Sequence, residues 1–240
     1  MKNTTLRLLS ILLFSLGILA GMALFVTATW ADVESVFYGF SRYGNKLTSS
    51  LHCPYLLDRD EIGTIEMVYR NTSDQSTRPT IRFQTSRPGA FRTETERLAL
   101  EAGESATLVW EISREDTVLD CFIFAKVFSF ASYPLKDVEQ TCGVLVLDLP
   151  GVTGGQATII LVVICLGGIA GGISLWYAAH KPMKVRTLEV LRAMYTLGGT
   201  VILGLVSMVF GWWLPGILFG VLALILVGVI VGNIFTVEKV

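Results

Sequence analysis

Residues 8–29, 158–179, 193–213 and 214–235 are apolar and carry no ionisable side chain, and a polar segment of domain size separates the first stretch from the second. Each stretch is close to the ~20 residues that a helix needs to cross about 30 Å of hydrocarbon. The runs are continuous rather than alternating, which excludes a membrane β-barrel. The charged residues crowd into 32–148 and the chain ends, so a single water-soluble globule is excluded as well. The layout predicts a membrane protein with a four-transmembrane helical bundle. It divides into a first helix in 1–30, an inserted domain in 31–153, and three further helices in 154–240.

Lysine and arginine set the expected orientation. The short flanks (Lys2, Arg7, Lys181, Lys184, Arg186, Arg192 and Lys239) hold seven basic residues against two acids, Glu189 and Glu238. Segment 31–155 holds twelve basic residues and eighteen acids, a net charge of −6. Long domains translocate regardless of charge, whereas basic short flanks stay inside. Both termini are therefore expected in the cytoplasm and 31–153 outside, in a multi-pass plasma-membrane topology. The turn Trp212-Trp213-Leu214-Pro215-Gly216 then falls on the outer face. Trp30, Trp212 and Trp213 would mark the outer headgroup level, and Trp176 and Tyr177 the inner one. The first span also has a basic start and a small-residue site at Val26-Thr27-Ala28, as a signal peptide has. Its apolar run of about twenty residues exceeds the usual signal core of ~7–15, which favours a retained helix.

The outside segment reads as short strands. In 62–70, Ile65, Met67 and Tyr69 alternate with Thr64, Glu66 and Arg70. In 80–85, Ile81 and Phe83 stand opposite Thr80, Arg82 and Gln84. Past the turn Ala102-Gly103-Glu104, the residues Ala106, Leu108, Trp110 and Ile112 alternate with Ser105, Thr107 and Glu111. Segments 119–130 and 142–149 are longer and more apolar. Strand–turn–strand units with no helical period predict an antiparallel β-sandwich.

Gly63-Thr64-Ile65-Glu66-Met67-Val68-Tyr69-Arg70-Asn71 and Leu98-Ala99-Leu100-Glu101-Ala102-Gly103-Glu104-Ser105-Ala106-Thr107-Leu108-Val109-Trp110 resemble the strand-then-Asn and Pro-Gly-Glu-Ser-then-strand pattern of bacterial immunoglobulin-like modules. Ala102 stands where proline is usual. The whole layout is similar to bacterial four-helix membrane proteins with one such module after the first helix. The resemblance implies a domain that binds proteins or acts as a spacer, with no common chemistry.

Three cysteines fall outside the membrane, where disulfides persist. Cys53 precedes Pro54 and Cys142 precedes Gly143, so each is expected at a strand edge beside a turn. Cys121 shares a strand face with Ile123, Ala125 and Val127. The favoured pairing is Cys53–Cys142, with Cys121 as a small buried apolar residue. The rival is Cys53–Cys121, the inter-sheet arrangement of antibody domains.

Glycines recur at spacing four: Gly17/Gly21 in the first span, Gly167/Gly171 and Gly168/Gly172 in the second, and Gly216/Gly220 and Gly228/Gly232 in the fourth. Small residues let helix backbones approach where lipid removes the hydrophobic drive. The doubled motif in the second span predicts a tight contact, either within the bundle or between subunits. Ser10, Ser15, Cys165, Ser174, Thr196, Thr200 and Ser207 are mild polar groups in the spans that their own helix or a neighbour can satisfy. The absence of intramembrane charge and of mid-span proline argues against a coupled transporter.

No HExxH, CxxC, phosphate loop or nucleophile elbow occurs. His52 beside Cys53 lacks the further ligands that zinc requires. Asp58-Arg59-Asp60-Glu61 reads as a solvated acidic loop, with calcium as the weaker reading. Asn71-Thr72-Ser73 has the form of a glycosylation acceptor. No basic stripe suggests nucleic acid. The expectation is a non-enzymatic protein without cofactor or metal, acting through protein–protein contacts of its outside domain as an accessory, assembly or surface-interaction subunit. Its expected partners are the lipid bilayer and other membrane or surface proteins. The alternative is a channel or transport component formed by homo-oligomerisation.

Overall fold

The computed structural model describes residues 2–40, 49–130, 137–180 and 185–237. It divides into two compact units, Met1–Thr29 with Thr158–Val240, and Trp30–Ala157. Four helices are present: α1 (Lys2–Phe37), α2 (Gly154–Ala179), α3 (Val185–Val209) and α4 (Trp213–Val237). All four are long and apolar enough to cross a membrane. Lys181 and Lys184, which helped to set the expected orientation, lie outside the described residues, as do Glu238 and Lys239.

The helices differ from the sequence expectation at their ends. α1 does not stop at Trp30 but runs on to Phe37. Nothing in Ala31-Asp32-Val33-Glu34-Ser35-Val36 breaks a helix, and Gly39, with φ +104°, is the first residue that favours a turn. The turn between α3 and α4 falls at 210–212, two residues earlier than the Trp-Trp-Leu-Pro-Gly run suggested. Gly211 takes φ +60° there. Its N–H donates to the Met208 carbonyl at 2.9 Å, and the Trp212 N–H donates to the Ser207 carbonyl at 2.8 Å. That pair of bonds is a Schellman ending. Pro215 then lies in the first turn of α4, where a missing N–H costs nothing.

The unit Trp30–Ala157 holds a sandwich of two sheets. One has three strands in the order β1 (Ser49–His52), β3 (Gly63–Arg70), β6 (Ser105–Ile112). The other has five, in the order β2 (Leu56–Asp58), β8 (Val138–Leu147), β7 (Phe122–Phe130), β4 (Thr80–Arg87), β5 (Ala90–Arg97). Strand β3 pairs with β6 from Gly63 opposite Ile112 to Arg70 opposite Ser105. One pairing departs from the antiparallel expectation: β2 runs parallel to β8, with Leu56 opposite Leu145. A three-residue strand beside a turn cluster leaves no alternation from which this could be read.

Alternation placed the core correctly. Ile65, Met67, Tyr69, Ile81, Phe83, Trp110 and Ile112 are buried between the sheets with Ile123, Ala125, Val127, Val144 and Val146. Phe83 of the five-stranded sheet stacks on Trp110 of the three-stranded one at 4.6 Å between ring centroids. Such a pair contributes about 0.5–1.5 kcal/mol beyond its buried area.

Candidate functional site

The disulfide joins Cys53, one residue past β1, to Cys142 within β8. It therefore ties the two sheets together, in the favoured pairing. Cys121 and Cys165 carry free thiols. Cys121 is not in a strand, as the sequence suggested. It is only partly buried and stands just before β7, because the chain turns through left-handed backbone at Leu119 (φ 50°) and Asp120 (φ 67°). Burial and the Asp120 charge push its thiol pKa up.

The two segments that carry the immunoglobulin-like resemblance meet at Asn71. Its side-chain amide donates to the carbonyls of Gln75 at 2.7 Å, Glu101 at 2.9 Å and Leu100 at 3.3 Å. Its side-chain oxygen accepts from the Ser73 backbone at 3.0 Å and the Ser73 hydroxyl at 2.7 Å. Asn71 is fully buried. The sequon-like Asn71-Thr72-Ser73 is thus a turn clamp in the folded domain.

The acidic loop is solvated at Arg59 and Asp60 only; its other two carboxylates are engaged. Glu61 accepts the N–H of Gly154, the first residue of α2, at 2.7 Å, and that of Asp58 at 3.0 Å. Asp58 accepts the Leu149 N–H at 2.7 Å. That bond is the main reason its pKa lies below the ordinary carboxylate value. These carboxylates fix residues 149–154, where the chain leaves the sandwich. A carboxylate on the free N–H groups of a helix N-terminus contributes about 1 kcal/mol. Where the chain enters the domain, Asp32 on α1 accepts the Gly143 N–H at 3.2 Å. A Cβ on Gly143 would strike the backbone of Ala31. Tyr38 packs on Phe124 at 5.0 Å between centroids.

A second polar cluster lies at the side of the sandwich where β5 faces β6. Asp116, in the short 3₁₀ turn Arg114–Asp116, is fully buried. It accepts from Arg92 at 3.1 Å and from the Ser113 N–H at 3.1 Å. Its burial raises its pKa against those bonds. Arg92 also donates to the Glu111 carbonyl, and Glu96 accepts the Trp110 indole N–H at 3.0 Å. Strand β5 was not expected from the sequence. It is charged and mostly exposed, so it carries no apolar alternation; its acids and arginines bond across to β6.

In the helical unit α1 is the hub. A Cβ on Gly17 would stand 2.8 Å from the Cys165 carbonyl oxygen, and one on Gly168 would stand 2.7 Å from the Gly17 Cα. Gly172 is pressed on Phe14 in the same way, at 2.6 Å from its Cβ. The Ser10 hydroxyl donates to the Gly172 carbonyl at 2.7 Å. Gly21 abuts Cys165 and Val201 of α3, and Gly216 abuts Thr29. Gly220 makes ordinary contact with Phe25 and Val26, and Gly171 only touches Leu13. Gly167 and Gly228 have no described atom within 4 Å of an added Cβ. The surroundings of Gly232 lie outside the described residues. Sequence reasoning missed Gly204 of α3, whose Cβ would meet the Phe25 ring at 2.9 Å; it belongs to no spacing-four pair.

Trp176, in the last turn of α2, is buried. Its ring lies 4.1 Å from that of His180, and its indole N–H donates to the Thr187 carbonyl at 3.4 Å. Among the described residues, no group of three or more His, Cys, Asp or Glu side chains is placed to hold a metal ion.

Four membrane-length helices with a disulfide-closed, immunoglobulin-like β-sandwich between the first and the second define a multi-pass membrane protein with one inserted module. No family model matches the chain, and no curated protein does. Among solved structures, part of the chain is similar to the CARDB domain of a Pyrococcus furiosus protein, crystallised in complex with di-metal ions. The identity is 11%, with 41% of this chain and 90% of that one covered, at a TM-score of 0.35. A β-glucosidase from Listeria innocua in complex with gluconolactone matches at 21% identity over 41% of this chain and 15% of that one, with a TM-score of 0.31. No functional conclusion rests on likenesses of this size.

Proposed function

We propose that this protein is a non-enzymatic membrane subunit that acts through protein–protein contacts of its β-sandwich, in accessory, assembly or surface interactions. The supporting observation is how the polar groups of the module are used. The carboxylates of the acidic loop hold backbone N–H groups, Asn71 clamps a turn, and His52 stands on the outer face of β1 opposite Glu66. Glu61 and Asp58 are spent on the fold of the module. The proposed topology keeps both termini in the cytoplasm and the disulfide-bonded sandwich outside. Retention of α1 is supported by its packing, since Leu24 and Phe25 are buried at the centre of the helical unit.

Chemical cross-linking in intact cells, followed by purification of the full chain in mild detergent, tests the reading. The expected result is a stoichiometric partner whose cross-links map to 49–130 or 137–153. A protein that yields no partner, and whose sandwich can be deleted without any change in phenotype, refutes it. A pore built by self-association is the competing reading, favoured by the open face of α2 at Gly167. Ion flux in liposomes holding the pure protein would establish that reading instead.

A further inference from the structure

A cleft of about 730 Å³ opens on the sandwich between the acidic loop and the 3₁₀ turn. Arg59 and Arg114 both line it, together with Tyr38, Thr117, Leu119 and Asp120. The Arg114 guanidinium lies 3.7 Å from Asp60, the neighbour of Arg59, so both arginines serve the same mouth. The Thr117 hydroxyl is buried and has no hydrogen-bond partner among the described residues.

The wall of this cleft is strained. Leu119 and Asp120 both take left-handed backbone, at φ 50° and 67°. Each such residue costs about 1–2 kcal/mol when it is not glycine. The turn is held by paired N–H donations between Val118 and Phe122, at 2.7 and 3.0 Å, and by the Val146 N–H on the Cys121 carbonyl at 2.8 Å. A glycine at either position would close the same turn without strain. Strain that surrounding structure enforces, beside a cleft, points from geometry to use.

We infer that this cleft is a binding site for a phosphate group, gripped by Arg59 and Arg114 with Thr117 as a further donor. A carboxylate is satisfied by one bidentate arginine, whereas a phosphate offers enough oxygens for two guanidinium groups and a hydroxyl at once. Asp60 pairs with Arg114 and competes with the ligand for it. The phosphate comes from a soluble phosphate ester or from a lipid headgroup, and the two are separable by experiment.

The test uses the full-length protein with its disulfide intact. One arm titrates inorganic phosphate and glycerol 3-phosphate into protein in a neutral detergent, read by calorimetry. The other compares nanodiscs of phosphatidylcholine alone with nanodiscs containing phosphatidylglycerol, read by protection of Arg59 and Arg114 from guanidine-specific modification. Saturable binding in the first arm assigns a soluble ester; protection by phosphatidylglycerol only assigns a lipid. Arg59→Gln and Arg114→Gln should each weaken binding by about tenfold or more, the usual effect of losing a charged hydrogen bond. Asp60→Asn should tighten it, an effect that a merely structural loop would not produce. Arg70→Gln, on β3 and outside the cleft, should leave it unchanged. No saturable binding and no protection in either arm overturns the inference, and so does a loss in Arg70→Gln equal to that in the two cleft variants.

Discussion

Two carboxylates of the sandwich respond to acid in opposite directions. Asp58 is held below the ordinary carboxylate pKa, first by the Leu149 N–H. A group lowered by folding adds stability above its unfolded value, about 3.9, and loses it as pH falls through the folded value. Asp116 is raised, first by burial. Its contribution is present below about pH 3.9 and is lost as pH rises through its raised folded value. Asp58→Asn should therefore be destabilised at pH 7, with a deficit that shrinks below pH ~4. For Asp116→Asn, the stability of the parent relative to the variant should fall as pH is raised from about 4 to 7. Thermal unfolding of each full-length variant, followed by circular dichroism across that range, checks both signs. The roles of these residues were not legible in sequence. Asp58-Arg59-Asp60-Glu61 reads as solvated because a carboxylate bonded to distant backbone looks the same as one in water. Asn71 was legible as a turn residue, but the carbonyls it clamps at Leu100 and Glu101 lie some thirty positions away.

At the scale of elements, period decided what could be read. Strands β3, β4, β6, β7 and β8 alternate or run apolar, and each appears near its expected place. β1, β2 and β5 were missed. The first two are four and three residues long, and β5 is an edge strand whose charges discourage pairing with another chain. The helices were read from apolar length. Their contacts were read from glycine spacing, which does not distinguish a glycine pressed on a neighbour from one facing away. Gly168 and Gly167 are adjacent and differ in this respect. Gly168→Ala should destabilise the helical unit by about 1–3 kcal/mol, because its methyl meets backbone atoms of α1 that have little room to yield. Gly167→Ala should be close to neutral. Detergent-resistance and melting curves of the two variants, side by side, provide the comparison. Equal losses would show that both positions are packed.

For the molecule as a whole, four spans and one inserted β domain were legible because lipid and water impose different residue patterns. The sheet order, with β2 added in parallel at one edge, was not. It depends on pairing between residues 56–58 and 145–147, and nothing local records that. The disulfide ties those same distant parts of the domain, joining cysteines at a sequence separation of 89. In the chain-entropy model a loop of this size stabilises by about 4–5 kcal/mol. Cys53→Ser, or reduction of the parent, should lower the unfolding midpoint of the sandwich by roughly 10 °C or more on the scaling for a domain of this size. Cys121→Ala should leave it near the parent value. A larger loss from Cys121→Ala than from Cys53→Ser would mean that the covalent link lies elsewhere.

The same tie has a kinetic side. Synthesis delivers Cys53 early and Cys142 late, only a dozen residues before α2 begins. Until then the sole other thiol that Cys53 can meet in its own domain is Cys121, and a bridge between those two would leave Cys142 without its partner. Correct maturation therefore calls for thiol–disulfide exchange, or for a delay in oxidation until the last strand has docked.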